Sequence, residues 1–373
     1  MTTGGTQIQS PFAVERLGVV MRPDPSRDNE VEGVLNPGAA RGPDGELYLF
    51  PRVVGRGNYS RIGIARVIFD GDIPTGVERL GYALEPEEPY ELRPQYGQGG
   101  CEDARVTYVQ PIELYVMAYT AWGPKGPRIA LAISEDCLQW ERIGLVDFQP
   151  DVEARYSVIF NQYHNKDAAF FPDAIRMIDD TFVLGMMHRP LYETEETAPK
   201  GIHLAVPSIW ASSCDLDAVR RDIRNLCVMK KHACVIGPRY AWEQLRIGIG
   251  TPPLETHLGY LTFYHGVSGE IARVPGEPNR VNYVAGVLIL RRENDQLMQY
   301  RSSAPVLIPE LEEETKGVVD NVVFPTGVDK RSDDVIDVYY GMADMFIGVA
   351  RVHLPKTVEY EVRERLEVER LQR

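Results

Sequence analysis

The sequence is short of cysteine, tryptophan, positive charge and long apolar runs, and each shortage narrows what the chain can be. Its five cysteines, Cys101, Cys137, Cys214, Cys227 and Cys234, are odd in number and contain no C-x-x-C pair. That argues against a disulfide framework or a cysteine-based zinc site, and predicts buried, reduced thiols. No stretch approaches the ~18 apolar residues of a spanning helix. The N-terminal MTTGGTQIQSPFAVERLG has neither a basic n-region nor an apolar h-region, so no secretory signal is read there and a cytoplasmic protein is expected. With 40 Lys+Arg against 54 Asp+Glu the formal net charge is −14. Such a body disfavours nucleic acid or an anionic membrane as partner, although a local basic pocket can still take a small anion. Also missing are a G-x-S-x-G elbow, a P-loop, a G-x-G-x-x-G after a strand and an H-E-x-x-H. Serine or cysteine nucleophile chemistry and nucleotide binding therefore have no support.

What the chain does have is turn residues, tyrosine and a repeat. It holds 33 Gly, 27 Pro and 19 Tyr, which suits many short strands. The segments SRIGIARVIFD from Ser60, PRIALAISED from Pro127, SIWASSCDLD from Ser208 and FIGVARVHLP from Phe346 share one design, and YVAGVLILRREN from Tyr283 is a weaker fifth copy. Each alternates apolar with small or polar residues at period 2, and most end in an acidic turn. Their spacing, roughly 63 to 81 residues, leaves room for about four short strands per copy. Helical patterns are scarce, limited to DLDAVRRDIRNLC and to KTVEYEVRERLEVERLQR after Pro355. The expected fold is all-β, a five-bladed β-propeller over residues 1–355 with a helical tail at 356–373. A β-sandwich is the competing architecture, but it calls for shorter and more even strand spacing.

Three segments carry candidate chemistry. Gly99-Gly100-Cys101-Glu102-Asp103-Ala104-Arg105 places two acids beside an arginine ahead of the strand VTYV, where a solvated turn carboxylate is the plainer alternative. His164-Asn165-Lys166-Asp167, with His188-Arg189-Pro190 further on, brackets apolar strands with cations. Trp242-Glu243-Gln244-Leu245-Arg246 is followed by the aromatic strand ending Tyr264-His265-Gly266, a place where a histidine meets a pocket rim. Further landmarks are Asn36-Pro37-Gly38, Arg52, Arg61, Arg128, Asp320-Asn321 and Ala343-Asp344.

Taken together, these motifs resemble glycoside hydrolase family 130, the β-mannoside phosphorylases and their relatives. The matching runs are NPGAA, LYLFPRVVGRGNYSRIGIA, GGCEDARVTY, MAYTAWGPKGPRIALAISED, WERIG, NKDAAFFP, MHRP, IWASS, RIGIGTPPLET, GYLTFYHGV, DNVVFPTG and YYGMAD, in the family's order. The resemblance implies a five-bladed propeller, an inverting mechanism and one essential carboxylic acid, which falls on Asp103. Ala104 stands where proline is usual. By the same motifs Lys166, Arg189, Arg246 and His265 take the phosphate-binding positions, Arg246 replacing a common lysine with the same charge and a different geometry. Asn36, Arg52 and Asp344 take the positions that hold the mannosyl unit, while Arg61 and Arg128 rank second and read equally as structural.

The implied reaction is phosphorolysis of a β-mannoside to α-mannose 1-phosphate, with inorganic phosphate as co-substrate and neither metal nor organic cofactor. Phosphate is already a nucleophile, so no second carboxylate is needed, unlike inverting hydrolysis. An inverting β-mannosidase is the near alternative, for which Glu243 and Glu255 are the candidate bases, and a non-catalytic sugar-binding propeller is the distant one. Family members are often oligomeric, so a homo-oligomer is expected.

Overall fold

The computed structural model describes residues 10–93, 99–150, 159–177, 179–192, 207–272, 280–291 and 298–359. The fold is all-β, as the repeat predicts. Among the described residues the strands form four sheets, the largest an eight-stranded one in which two antiparallel runs are joined by parallel pairing of Tyr59 and Ser60 with Gly99 and Gly100; taken by antiparallel run, five units follow one another along the chain. The first is Gly33–Arg41, Leu47–Gly55, Tyr59–Asp70 and Ile73–Leu84; the second is Gly99–Val109, Leu114–Gly123, Gly126–Ser134 and Glu141–Leu145. The third is His164–Arg176, Phe182–Leu191, Ile209–Asp215 and Val228–Ile236; the fourth is Arg246–Ile249, Gly259–Glu270, Arg280–Leu290 and Met298–Arg301. The fifth, Val323–Lys330, Val335–Met342 and Phe346–His353, takes its last strand, Ala13–Met21, from the other end of the chain. All five repeat segments seen in the sequence fall on the third strand of a unit. The stretch ARVTYVQPIELYVMAYTAW is not one strand but two, parted by the 3-10 turn Gln110–Ile112.

Burial follows position within a unit. Every residue of Leu47–Gly55 is buried, whereas the outer strand Ile73–Leu84 is largely exposed, so only the inner strands can read as continuous apolar runs. Apolar clusters fill each gap between successive units. Met186, Phe170 and Trp210 of the third meet Val116 and Ile129 of the second; Phe171 and Ile209 meet Ile247 and Tyr264 of the fourth; Leu261 and Ile289 meet Ile336 and Val352 of the fifth. Tyr339 and Ile347 of the fifth unit then pack on Val34 and Leu49 of the first. Burial on this scale, at ~25 cal/mol per Å² of apolar surface, is the main stabilising term.

A second recurring device ties a unit to the loop that leads into it. Glu91, Glu243 and Glu314 lie fully buried before the second, fourth and fifth units. Each accepts from the hydroxyl of a second-strand tyrosine (Tyr119 at 2.6 Å, Tyr264 at 2.8 Å, Tyr340 at 2.8 Å). Each also pairs with an outer-strand arginine (Arg142 at 3.0 Å, Arg301 at 2.7 Å, Arg16 at 2.9 Å) and caps two backbone N–H groups of its own loop. Every oxygen is thus satisfied, which makes a buried carboxylate tolerable.

Of the helical patterns, DLDAVRRDIRNLC is broken at Asp222: Asp215 caps Leu216–Arg221 by accepting from the Ala218 N–H at 2.6 Å, and a 3-10 turn follows over Ile223–Cys227. Residues 356–359 are irregular, and the rest of the predicted C-terminal tail lies outside the described residues. All five cysteines are free thiols, four buried and Cys234 half-buried. Among the described residues no helix is long and apolar enough to cross a membrane.

Candidate active site

The site draws mainly on the first and second strands of the units, and what aims Asn36, Asp103 and Asp167 is a bulge repeated in one first strand after another. Pairing with the second strand slips between Leu35 and Gly38, between Glu102 and Arg105, between Lys166 and Ala169, and between Pro325 and Gly327. A bulge inserts one unpaired residue and re-aims its side chain. In three of the four the inserted residue takes the left-handed conformation: Asn36 at φ 45, Asp103 at φ 51 and Asp167 at φ 53. Asn and Asp tolerate that region better than other residues with a Cβ. Small neighbours let the strands approach; a Cβ on Gly38 would sit 2.9 Å from the Ala104 carbonyl oxygen. The sequence places Asp103 ahead of its strand; the structure puts it inside Gly99–Val109, at the bulge.

Asp103 is buried and accepts at Oδ1 from Asn36 Nδ2 at 2.9 Å, with Arg52 Nη1 at 3.5 Å. Arg52 is held in turn by Ser60 Oγ at 2.9 Å, by Asn58 Oδ1 at 2.8 Å and by Glu102 Oε1 at 2.9 Å. Glu102 bridges to Lys166 Nζ at 2.9 Å, and that ammonium lies 4.4 Å from the centre of the Trp122 ring. Burial alone would raise the Asp103 carboxyl; Arg52, Lys166, Arg105 and the Asn36 amide outweigh it and hold it below the ordinary carboxylate range. Asp344, left-handed at φ 53, answers to the same group in the opposite sense. Burial, opposed by Arg52 and Lys166 but reinforced by the charges of Asp103 and Glu102, pushes it up to about 6.

A second group adjoins the first. Asp167, buried, receives Arg189 at 2.6 Å, Arg105 at 3.3 Å and His265 Nε2 at 3.6 Å. Burial works against its charge, but Arg189, Arg105 and His265 prevail and hold it far below the usual range. Arg105 joins the two groups, donating to the Asp103 carbonyl at 2.9 Å as well as to Asp167. Arg246 donates to Tyr283 Oη at 3.1 Å. Three buried nitrogens here have no protein partner among the described residues: Arg189 Nη1, Arg246 Nε and His265 Nδ1. Orphaned polar atoms of this kind cost ~1–3 kcal/mol each unless a ligand or water meets them. A Cβ on Gly248 would fall 2.4 Å from Asp167 Oδ2, 2.6 Å from His265 Cε1 and 2.7 Å from Arg189 Nε, so only glycine fits beneath this group.

Of the residues singled out in the sequence, Asn36, Arg52, Asp103, Asp344 and Lys166 come together in the first group, and Arg189, Arg246 and His265 in the second. Arg61 and Arg128 stay outside. Arg61 pairs with Glu85 at 3.0 Å, and Arg128 donates to the carbonyls of Asn161 and Tyr163. Glu243 is one of the three loop-bracing carboxylates and is locked to Arg301 and Tyr264, while Glu255 is exposed on Leu254–Thr256; neither stands in either group. Sequence reasoning named Asp167 and Arg105 within their candidate segments but gave them no role of their own, and gave none to Tyr283, Gly248 or Trp122. The one signal it had was the recurrence of Asn or Asp followed by a small residue at Asn36-Pro37-Gly38, Asp103-Ala104 and Asp167-Ala168-Ala169. Among the described residues no group of three or more His, Cys, Asp or Glu side chains is arranged to hold a metal ion.

A family model described as beta-1,4-mannooligosaccharide phosphorylase, glycoside hydrolase family 130, matches residues 11–361. The 1,2-beta-oligomannan phosphorylase of Thermoanaerobacter sp. (strain X514) is 31% identical over 293 residues, 74% of this chain and 78% of the relative. The beta-1,4-mannooligosaccharide phosphorylase of Ruminococcus albus is 34% identical over 131 residues, 35% of this chain and 37% of the relative. Among solved structures, the beta-1,2-mannobiose phosphorylase of Listeria innocua in complex with beta-1,2-mannobiose superposes with TM-score 0.63 at 22% identity, over 98% of this chain and 95% of that one. A structure described with glycoside hydrolases that target beta-1,2 mannosidic linkages in Candida mannan superposes equally well, at TM-score 0.65 and 21% identity over 93% and 95% of the two chains. The fold is therefore common to both chemistries, and the side chains of the site must separate them.

Proposed function

The chain belongs to glycoside hydrolase family 130, and from that premise we propose that it phosphorolyses β-mannosides with inversion, giving α-mannose 1-phosphate and the shortened sugar. The observation that carries this reading is the convergence of Arg189 Nη1, Arg246 Nε and His265 Nδ1, buried and without protein partners, beside the Asp103 group. Charge-assisted hydrogen bonds from the two guanidinium groups of that set suit an anion. Across both groups the cations Arg52, Arg105, Lys166, Arg189 and Arg246 outnumber the carboxyls Glu102, Asp103, Asp167 and Asp344, leaving a surplus that an incoming phosphate offsets.

In this reading Asn36, Arg52 and Asp344 hold the mannosyl unit, and Asp103 delivers a proton to the glycosidic oxygen as the C1–O bond breaks. Phosphate, oriented by Arg189, Arg246 and His265 with Lys166 on the seam between the groups, attacks C1 from the opposite face. The proton that Asp103 gives up is balanced by the P–OH proton shed by the new phosphate ester. At rest Asp103 is held ionised; an anion that neutralises Arg105 and Lys166, together with a sugar that excludes water, pushes its carboxyl up toward the protonated form the step requires.

We read the five units as the blades of a five-bladed propeller. The reading is supported by the apolar cluster in each gap, by the return of the fifth unit onto the first, and by the shared placement of the bulges. The hydrolytic alternative requires a carboxylate to activate water, and its candidates Glu243 and Glu255 stand outside the site. Incubating β-1,2- and β-1,4-mannobiose with and without phosphate tests the assignment. Release of α-mannose 1-phosphate only when phosphate is present is expected; free mannose released without it overturns the proposal.

A further inference from the structure

His265 is more constrained than a generic phosphate ligand needs to be. It sits on Gly259–Glu270 opposite Gly248. Its ring packs at 4.4 Å against Phe324 and 6.0 Å from Tyr283, centroid to centroid, and the Gly248 backbone lies under Cε1. One edge of the imidazole, Nε2, faces Asp167 Oδ2 at 3.6 Å; the other, Nδ1, is buried and has no hydrogen-bond partner among the described residues. Asp167 is ionised by two arginines, so it is an acceptor only. A lone pair on Nε2 would face that anion at close range, and the imidazole proton therefore resides on Nε2. Burial and the charges of Arg189, Arg105 and Arg246, against the pull of Asp167, press the imidazolium down to about 3. The ring is therefore neutral and carries one proton only, which leaves Nδ1 with its lone pair.

We propose that His265 presents Nδ1 as a hydrogen-bond acceptor to the protonated oxygen of the bound anion, so that the site selects hydrogen phosphate or arsenate and rejects sulfate. The proposal rests on the phosphorylase reading. Phosphate carries at least one P–OH at neutral pH and so has a donor for Nδ1, whereas sulfate carries none and would set an oxygen lone pair against a nitrogen lone pair in a buried site. Arg189 Nη1 and Arg246 Nε supply donors to the remaining oxygens, and these are blind to which tetrahedral anion is bound. Asp167 is then a positioning residue: by fixing the tautomer of His265 it determines which end of the ring accepts.

Leaving a buried acceptor unpaired against an anion that lacks the O–H lowers affinity on the order of 10–10²-fold. The test is steady-state cleavage of a β-mannobiose at fixed pH with phosphate, with arsenate as alternative nucleophile and with sulfate as competitor. Arsenate should support turnover with a KM within about threefold of that for phosphate, and sulfate should inhibit with a constant more than tenfold above it. Sulfate inhibition within tenfold overturns the acceptor assignment. In Asp167→Asn the tautomer is released, and the ratio of sulfate to phosphate affinity should move toward unity even if overall anion affinity also changes; an unchanged ratio overturns the positioning role. Should that variant not fold, the 15N chemical shifts of His265 in the wild-type protein decide the point, since Nδ1 must resonate as an unprotonated nitrogen. If cleavage proceeds without phosphate, it is the functional reading that has failed; if cleavage needs phosphate and sulfate competes freely, only the role of His265 has.

Discussion

Asn36 donates from Nδ2 to Asp103 Oδ1 over 2.9 Å, and so joins bulges on the first strands of two neighbouring units. Both residues sit at left-handed φ, so the contact depends on two strained backbones reached from opposite sides of a seam. The other amide atom, Asn36 Oδ1, is buried without a hydrogen-bond partner among the described residues and lies against the Gly341 backbone. Asp103→Asn keeps this geometry and removes the transferable proton. Phosphorolysis should fall by about 10²–10⁴-fold in kcat, with thermal unfolding and mannoside binding little changed. Loss of binding along with turnover would count against an acid–base role.

Gly248→Ala probes the anion group alone. The added Cβ cannot avoid Asp167, His265 and Arg189 together, and overpacking of this kind costs about 1–3 kcal/mol. Two-substrate kinetics should show the KM for phosphate rising at least about tenfold while the KM for mannoside moves by less than about threefold. Equal changes in both would mean that Gly248 supports the whole site and not its anion-binding half.

Asp344 links pH, stability and activity. Its carboxyl goes from 3.8 in the unfolded chain to about 6 in the folded one, so the native state binds the extra proton more tightly. Stability from this group is present at low pH, declines as pH rises between about 4 and 6, and is gone above that range. Asp344→Asn should therefore stabilise the protein at pH 7.5 by about 1–2 kcal/mol, with little effect at pH 4. The same change should lower kcat/KM for mannosides. Calorimetric scans at the two pH values, paired with kinetics, check both; a stabilisation that is equal at pH 4 and 7.5 would contradict the shift.

Glu243→Ala separates structure from chemistry. It leaves Arg301 buried and unpaired and strips two backbone N–H groups of their acceptor, a loss of about 3–5 kcal/mol. Denaturant titration should show this destabilisation, while the activity of the folded fraction at low temperature stays within about threefold of wild type. A selective collapse of turnover without loss of stability would restore Glu243 as a candidate base.

Much of the fold was legible in the chain because a strand's alternation is local. The five segments beginning near Ser60, Pro127, Ser208, Tyr283 and Phe346 announce five third strands, and each occurs. The pairing of Ala13–Met21 with Phe346–His353 was not legible, since nothing in a nine-residue strand names a partner more than three hundred residues away. The candidate site divides in the same way. Asp103, Arg189 and His265 stood out by motif, but Asp167 looked like the polar end of NKD and only its bulge turns it inward.

By itself the sequence determined the all-β class of fold and the place of the repeated strands, because these depend on periodicity and local residue type, and it nominated the residues proposed here for acid and anion chemistry. Tertiary structure alone decided which charges meet. It set Asp167 between Arg105, Arg189 and His265, gave Asp103 and Asp344 opposite proton affinities within one field, and locked Glu243 into a brace between the fourth unit and the loop that leads into it. Those outcomes depend on distances across seams between strands far apart in the chain, where burial strengthens every charge and a shift of about one ångström changes which partner prevails.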